Sequence, residues 1–370
     1  MRAAFHPLRV ASLEPLTDDA VAITFDVPTE LRPQYAFRAG QHLNLRCEGA
    51  GDDVRRSYSI CSPAVGVSGV SGTPEAPARL RIGVKRLPGG AFSTYAAERM
   101  QVGDTVDVMT PSGSFTLPFS AEQSKHYCAV AAGSGVSPIL SLVATALDAE
   151  PASRVTLVYG NRTTRSIMFA EELCDLKDRY LERFQLVHVL SREQLPAALL
   201  NGRIDEAKLE ALFGTLIAPE TVDEWLLCGP AEMTERVRAT LLGRGVDPMH
   251  IHRELFHLNR GAPAAAAPAA PAAGMRSRST EVTILLDGRG STFPLDAAGA
   301  SILDAALDVR ADTPYACKNG MCGTCRAKVT EGTVDMDHND ALEPDEVAAG
   351  FVLACQAHPR SERVTLDFDT

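Results

Sequence analysis

Basic residues are in short supply in this chain. Its 370 residues carry 36 Lys and Arg against 47 Asp and Glu, a formal net charge of −11. A general nucleic-acid binder needs a basic face to meet phosphate, so that role is not expected. Long apolar runs are missing as well. No stretch approaches the ~20 apolar residues that cross a bilayer, and no membrane association is expected. The opening MRAAFHPLRVASLEPLTDD has neither a long apolar run nor a small-residue cleavage site, so no signal peptide is read there. The cytoplasm is the expected compartment, and disulfides are not expected to hold the fold. Cysteine is scarce too, with nine in the whole chain. Yet three of the nine fall within CKNGMCGTC, and thiols clustered in a reducing compartment point to metal or redox work.

What is present divides the chain. At this length two or three domains are expected, because single cores stop growing near ~250–300 residues. GAPAAAAPAAPAAGMRSRS (Gly261–Ser279) is low-complexity Ala/Pro, and its internal prolines argue against an Ala-rich helix. It reads as a semi-stiff linker over 261–280. In the first part, over 1–120, short bursts alternate apolar and polar residues: Ala20–Val27, Gln41–Cys47, Arg79–Lys85 and Asp104–Met109, with Gly and Pro between them. This predicts an antiparallel β-barrel or sandwich. Val67–Ala78 reads as a long mobile surface loop inside it. Over 121–260 the rhythm changes. Apolar strands are predicted in HYCAVAA, RVTLVYGNR, FQLVHVLSR and EWLLCGP, with helical stretches between, which implies a parallel sheet covered on both faces. Over 281–370, EVTILLDG and STFPLD predict a hairpin, Ser301–Arg310 a helix with Ser301 as N-cap and Asp304 as its reciprocal partner, and RVTLDFD a strand.

Cys317, Cys322 and Cys325 have the spacing C-x4-C-x2-C, and Cys355 follows after 29 residues. That is the spacing of a plant-type 2Fe–2S site. Four thiolates must converge on two irons, and three can come from one loop only if it wraps the cluster. Gly320 and Gly323 let that backbone approach. Structural zinc is the competing reading, but zinc sites favour two short Cys-x-x-Cys pairs or histidine partners. Cys47, Cys61, Cys128 and Cys174 are expected to be small buried hydrophobes.

A one-electron carrier needs a feeder. RRSYSICS contains Arg56, Tyr58 and Ser59, and VKRLPGGAFSTY places Gly89 and Gly90 before a helix predicted to start near Phe92–Ser93. An arginine with a glycine turn at a helix N-terminus suits a pyrophosphate, and a tyrosine ring suits a flavin face. Taken alone, Tyr58 could equally be a half-buried strand tyrosine and Arg56 a solvated edge charge. AAGSGVSPI lies between a strand and a helix and departs from G-x-G-x-x-G, since Pro138 stands at the third glycine. In series with the flavin motifs it reads as a dinucleotide turn. Arg162, Arg192 and Arg203 follow or flank strand ends, where a 2′-phosphate needs cations. Glu193 is adjacent, and ordinary surface arginines are the plainer alternative. NADPH is the favoured nucleotide.

These residues together resemble the ferredoxin–NADP reductase family fused to a plant-type ferredoxin, over essentially the whole chain except the linker. YSICS, AAGSGVSPIL, YGNRT, LLCGPAEM, PYACKNGMCGTC, NDALEPDEVAAGFVLACQA and VTLDFD are similar to the reductase components of ring-1,2-phenylacetyl-CoA epoxidases, which are bacterial multicomponent di-iron oxygenases of phenylacetate degradation. The resemblance implies an antiparallel β-barrel for FAD, an α/β parallel sheet for NADP and an α+β ferredoxin domain of the β-grasp type. It implies Arg56 on flavin phosphate, Tyr58 stacked on the ring and Ser59 near the ring nitrogen that accepts hydride. Gly90 and Ser93 would complete the pyrophosphate site, and Gly133, Ser134 and Gly135 would line the nicotinamide dinucleotide. Cys228 would sit beside the nicotinamide–flavin contact, with a buried strand-end cysteine as the alternative. The implied activity is NADPH-driven electron transfer through FAD and the cluster to an oxygenase component of a di-iron monooxygenase. Exposed residues around the cluster, Lys318, Asn319 and Met321 among them, are expected to set the oxygenase-facing surface. A reductase for another aromatic-ring oxygenase and a non-catalytic flavin or iron–sulfur scaffold or sensor are the alternatives.

Overall fold

The computed structural model describes residues 5–46, 55–64, 77–255, 279–296, 299–310 and 312–370. Most of the predicted loop Val67–Ala78, the predicted linker Gly261–Ser279 and Cys47 lie outside the described residues. Two compact units are separated, Met1–Leu258 and Asn259–Thr370.

The first unit opens with six strands: β1 (Phe5–Thr17), β2 (Ala20–Asp26), β3 (His42–Arg46), β4 (Arg55–Ser59), β5 (Arg79–Lys85) and β6 (Thr105–Met109). They form one antiparallel sheet in the order β4-β3-β6-β1-β2-β5. A bridge between Ile60 and Ile82 then joins the two edge strands, so the sheet closes into a barrel. Closure removes the open edges that a flat sheet would expose. Leu8, Val10, Ile23, Phe25, Leu43, Leu45, Leu80, Ile82, Val106 and Val108 fill the interior, each 1% exposed or less. Helix α1 (Ala91–Glu98) follows β5 and starts at Gly90.

The parallel sheet follows: β7 (His126–Ala132), β8 (Arg154–Asn161), β9 (Phe184–Leu190), β10 (Glu224–Gly229) and β11 (Ile251–Leu255), in the order β11-β10-β7-β8-β9. The connecting helices are α2 (Val136–Ala149), α3 (Ala170–Arg179), α4 (Glu206–Phe213) and α5 (Ala231–Gly243). Helix α2 is buried on nearly every face. Such a helix lies inside a core and not on its surface. It is wedged between barrel and sheet, where Ser141 Oγ donates to the Ser62 carbonyl at 2.6 Å and Ala64 N donates to Thr145 Oγ1 at 2.9 Å.

The second unit has β12 (Ser279–Leu286), β13 (Arg289–Asp296), α6 (Ile302–Val309), β14 (Arg326–Glu331), β15 (Val334–Met336), α7 (Pro344–Ala348), β16 (Phe351–Leu353), β17 (Ala357–Pro359) and β18 (Arg363–Asp367). Five of the strands make a mixed sheet in the order β13-β12-β18-β14-β16, and β15 pairs with β17. The predicted cap is present: Ser301 Oγ accepts from Asp304 N at 3.2 Å. Ile302, Leu303 and Ala306 of α6 are fully buried.

Two expectations are corrected here. The parallel sheet has a fifth strand, β11, which the apolar pattern does not reveal because IHREL carries three polar residues, as an edge strand can. Cys174 is exposed and not a buried hydrophobe, because α3 turns only Leu173 fully inward at that point. Cys61 and Cys128 are buried as expected.

Candidate functional site

Strand order in the parallel sheet reverses between β7 and β10. In open α/β sheets ligands bind beyond the C-terminal strand ends at such a point. A cleft of about 980 Å³ lies there. Ala132, Gly133, Ser134 and Gly135 line it from the end of β7, and Gly229 and Pro230 from the end of β10. Lys85, Arg86, Leu87 and Pro88 line it from the barrel.

The glycines divide the labour. Gly133 has φ +54°, and a Cβ there would meet no atom within 4 Å. Its backbone therefore presents an open hollow to the cleft. Tyr159 Oη donates to the Gly133 carbonyl at 2.9 Å and holds that turn. Gly135 is different, since a Cβ on it would collide with the carbonyl oxygen of Cys228. Its role is close packing of the start of α2 on β10.

Arg162, Arg192 and Arg203 all line the cleft and are all exposed. Arg192 N donates to the Arg162 carbonyl at 2.8 Å, which sets the two arginines on adjacent strand ends. Gly202 N donates to the Leu190 carbonyl at 2.8 Å and brings Arg203 beside them. Glu193 does not line the cleft. Its carboxylate accepts from Thr164 N at 2.7 Å and from Thr164 Oγ1 at 2.8 Å, and these bonds hold its pKa below the usual carboxylate value. Asn161 Nδ2 is buried at the cleft wall beside Tyr159, with no hydrogen bond of good geometry among the described residues. A buried amide donor beside a group of cations and a bare glycine turn fits a phosphate-bearing dinucleotide.

On the barrel side, Arg56 and Tyr58 point to the same face of β4, as residues two apart on a strand do. Arg56 Nη1 donates to the Arg55 carbonyl at 2.6 Å. The Tyr58 ring lies 5.3 Å from the Phe92 ring, centroid to centroid, so it faces the start of α1. Burial pushes the Tyr58 phenol upward. Ser93 is nearly fully buried, and its hydroxyl accepts from Leu87 N at 3.1 Å. It therefore fixes the Leu87–Gly90 turn from within. This arrangement fits a flavin carried by β4 with its pyrophosphate at the α1 turn.

Ser59 and Cys228 meet through a residue that sequence reasoning missed. Ser59 Oγ donates to Glu254 Oε2 at 2.9 Å. Glu254 on β11 is the register partner of Cys228 on β10. Burial raises the Glu254 carboxyl from 4.5 to about 7, and Ser59 opposes the rise only in part. Burial and the Glu254 charge push the Cys228 thiol well up, so it is a neutral thiol at physiological pH. IHREL carries no apolar pattern that marks it as a strand, so nothing in the sequence signals Glu254.

In the second unit, Cys317, Cys322 and Cys325 lie on one loop and Cys355 just beyond β16. The thiols act on one another most strongly two and two, Cys317 with Cys322 and Cys325 with Cys355. The first pairing, with the backbone N–H groups of Asn319, Met321 and Cys322, lowers Cys317 to about 6. Cys355 is likewise lowered, by Cys325 and then by Gly320 N–H and Gln356. Cys322 and Cys325 are pushed up in turn. Two thiol pairs ringed by N–H donors match two metal ions that each take two thiolates. Gly320 has φ +79°, and a Cβ on it would press to 2.9 Å from the His338 carbonyl oxygen, so glycine is required where the loop crosses that strand connection. Lys318 is exposed but engaged, with Nζ 2.9 Å from Asp304 and 4.8 Å from the Tyr315 ring centroid. Asn319 and Met321, expected to be exposed around the cluster, are instead half-buried, with Asn319 Oδ1 covered.

Comparison with known proteins gives the same three parts. An oxidoreductase FAD-binding domain matches residues 7–117, an oxidoreductase NAD-binding domain residues 129–239, and a 2Fe-2S iron-sulfur cluster binding domain residues 284–360. The chain is 44% identical over 365 residues to a component polypeptide of the 1,2-phenylacetyl-CoA epoxidase of Escherichia coli, covering 99% of this chain and 98% of that one. It is 32% identical to the ferredoxin reductase component of 3-ketosteroid-9-alpha-monooxygenase of Rhodococcus rhodochrous, covering 98% and 96%. Among solved structures, phthalate dioxygenase reductase superposes with a TM-score of 0.56 at 24% identity, over 98% of both chains.

Proposed function

The chain belongs to the ferredoxin–NADP reductase family fused to a 2Fe–2S ferredoxin domain, the family that includes its 1,2-phenylacetyl-CoA epoxidase relative, and on that premise we propose that it carries electrons from NADPH to a di-iron oxygenase acting on phenylacetyl-CoA. The observation that carries the choice of partner is the 44% identity over nearly the full length of both chains. The same reading makes 1–120 the FAD domain, 121–260 the nucleotide domain, 261–280 a linker and 281–370 the electron-carrying domain, in a cytoplasmic protein.

Bound FAD supplies the conversion from hydride to single electrons, and the cluster supplies the one-electron carrier. The chain's residues set position and charge. Arg56 and the Gly90 turn, held by Ser93, take the flavin phosphates, and Tyr58 takes the ring face. Ser59 and Glu254 stand at the reacting edge and hold a proton between them. Gly133, Ser134 and Gly135 bring the dinucleotide backbone against the start of α2, and Cys228 fills the wall behind. Arg192 and Arg203, with Arg162, meet the 2′-phosphate, and Thr164 keeps the Glu193 charge away from it. Cys317, Cys322, Cys325 and Cys355 hold the irons, and Lys318, Asn319 and Met321 border the face toward the oxygenase.

The test uses the purified holoprotein. NADPH under anaerobic conditions should bleach the flavin bands and bring up a reduced-cluster resonance. Mixed with the oxygenase component of the epoxidase, the protein should drive NADPH-dependent consumption of phenylacetyl-CoA. Flavin bleaching without that consumption, together with turnover by a different oxygenase, would reject the proposed partner while leaving the electron route intact.

A further inference from the structure

A hydride brings two electrons and one proton together, whereas an iron–sulfur cluster takes electrons alone. On the reading above, each hydride therefore leaves one proton in the buried site beside Ser59. It can move on if the Ser59 hydroxyl passes its own hydrogen to the Glu254 carboxylate as the new proton bonds to the Ser59 oxygen. The carboxylate becomes a carboxyl group, and with 17% of its side chain exposed it can release the proton to water. What holds Glu254 ready for this exchange lies on the barrel.

His42 is buried on β3, on the strand face opposite Leu43 and Leu45, which it shares with Asn44 and, across the ladder, Ser59. Its Nδ1 lies 4.0 Å from Glu254 Oε1, and its Nε2 lies 3.2 Å from Ser112 Oγ. The backbones of His42 and Ser112 also exchange hydrogen bonds, at 2.8 and 3.0 Å, so the pair is fixed in register. Side chains further out fix the direction of the contact. Ser57 Oγ donates to Asn44 Oδ1 at 2.6 Å, which turns the amide nitrogen of Asn44 toward Ser112 Oγ at 3.5 Å. Asn44 Nδ2 lies 3.5 Å from Met109 Sδ as well; with Ser112 Oγ accepting from Asn44, its own hydrogen can point to His42 Nε2. Burial pushes His42 down to about 4, so the ring is neutral and carries one hydrogen, which sits on Nδ1 when Ser112 donates to Nε2. Space is reserved for the ring as well. Gly113 has φ +118°, and a Cβ there would lie 2.8 Å from His42 Nδ1.

We propose that His42 is a positioning residue for Glu254: fixed by Ser112 with its hydrogen on Nδ1, it aims that hydrogen at the carboxylate that receives the proton from Ser59. A displacement of roughly 1 Å brings the pair to hydrogen-bond length. The groups facing Glu254 are Ser59 from β4, His42 from β3 and Cys228 from β10, and the Cys228 thiol stays neutral. His42 is thus the donor that favours the ionised carboxylate from the barrel side.

The test is nuclear magnetic resonance on the oxidised full-length holoprotein. Imidazole nitrogen-15 shifts should report the Nδ1–H tautomer for His42 at neutral pH, and a dominant Nε2–H form would overturn the proposal. The Glu254 side-chain carbon, assigned with E254Q, should then be titrated in H42F and H42N. Removing the donor should raise the Glu254 midpoint by about one pH unit, a tenfold change, and H42N should restore it because the asparagine amide stands where Nδ1 stood. An unchanged midpoint in H42F, or H42N behaving like H42F, would overturn the proposal. If H42F does not fold, Ser112→Ala carries the test, since loss of the hydroxyl should let the Nε2–H form appear, and a pure Nδ1–H spectrum would count against the argument. The inference rests on the proposed electron route, but that route is judged separately by flavin bleaching with NADPH, which does not depend on the His42 tautomer.

Discussion

Alanine at both Arg192 and Arg203 removes two of the guanidinium groups that face the cleft beyond β9. A charge-assisted hydrogen bond to a phosphate is worth about 1.5–3 kcal/mol. Both side chains are exposed, so solvent screening brings each nearer ~1 kcal/mol. Together they contribute on the order of 2 kcal/mol, or about thirtyfold in affinity. Arg162 and Arg236 remain in the cleft and can recover part of the loss, so a fall of at least about tenfold in kcat/KM for NADPH is expected. NADH lacks the 2′-phosphate and should change little. Ferricyanide as acceptor bypasses the cluster, and the ratio of the two kcat/KM values cancels any general damage to the flavin site. A ratio unchanged in the double variant would make these arginines bystanders and remove the physical basis for preferring NADPH.

Cys322→Ser should abolish or weaken cluster absorption and leave flavin reduction by NADPH intact, because the thiols and the cleft belong to separate units; simultaneous loss of FAD would refute that separation. Gly135→Ala should lower stability by about 2–3 kcal/mol, seen as a fall in Tm, since its Cβ meets fixed backbone at Cys228. Gly133→Ala meets no atom but puts a side chain in the left-handed region at φ +54°, so it should cost about 1–2 kcal/mol and raise KM for NADPH by filling the open hollow. Glu254 has a folded-state pKa of about 7 against 4.5, so it binds its proton more tightly when folded and its contribution to stability declines as pH rises from about 4.5 through 7. His42, lowered from 6.5 to about 4, works in the opposite sense over an overlapping range, and E254Q separates the two. After a discount for the partial exposure of Glu254, E254Q should gain on the parent by ~1–2 kcal/mol between pH 5 and pH 8, and parallel Tm profiles would refute this.

Much of the fold was legible because burial and periodicity coincide. Arg79–Lys85 alternates on one barrel wall and was bounded correctly. HYCAVAA and EWLLCG are buried on both faces and read as continuous apolar runs. The cysteine spacing identified its loop because the chemistry allows few arrangements. Glu254 was not legible for the opposite reason. Its meaning comes from three contacts, 26 to 212 positions away in the chain: Cys228 across the sheet, and Ser59 and His42, which reach it only when barrel and sheet dock. The switch between β7 and β10 is likewise a property of strand order, which no local pattern records. Ser93 lies in the first turn of α1 and its hydroxyl holds the Leu87–Gly90 turn, a contact visible only once Leu87 N is seen beside it.

In the second unit, β18 comes last in chain order among the five sheet strands, yet it lies in the middle of the sheet, between β12 and β14. The sheet therefore cannot close while the chain is still being made up to that strand. At ~5–20 residues per second, translation leaves about 2–8 s between emergence of Cys325 and arrival of Asp367. For that interval β12 and β14 have open edges, and the cysteine loop has no finished scaffold behind it. The cysteine loop is thus made before the strand that completes the sheet behind it, so slower translation lengthens the time the loop spends on an unfinished scaffold.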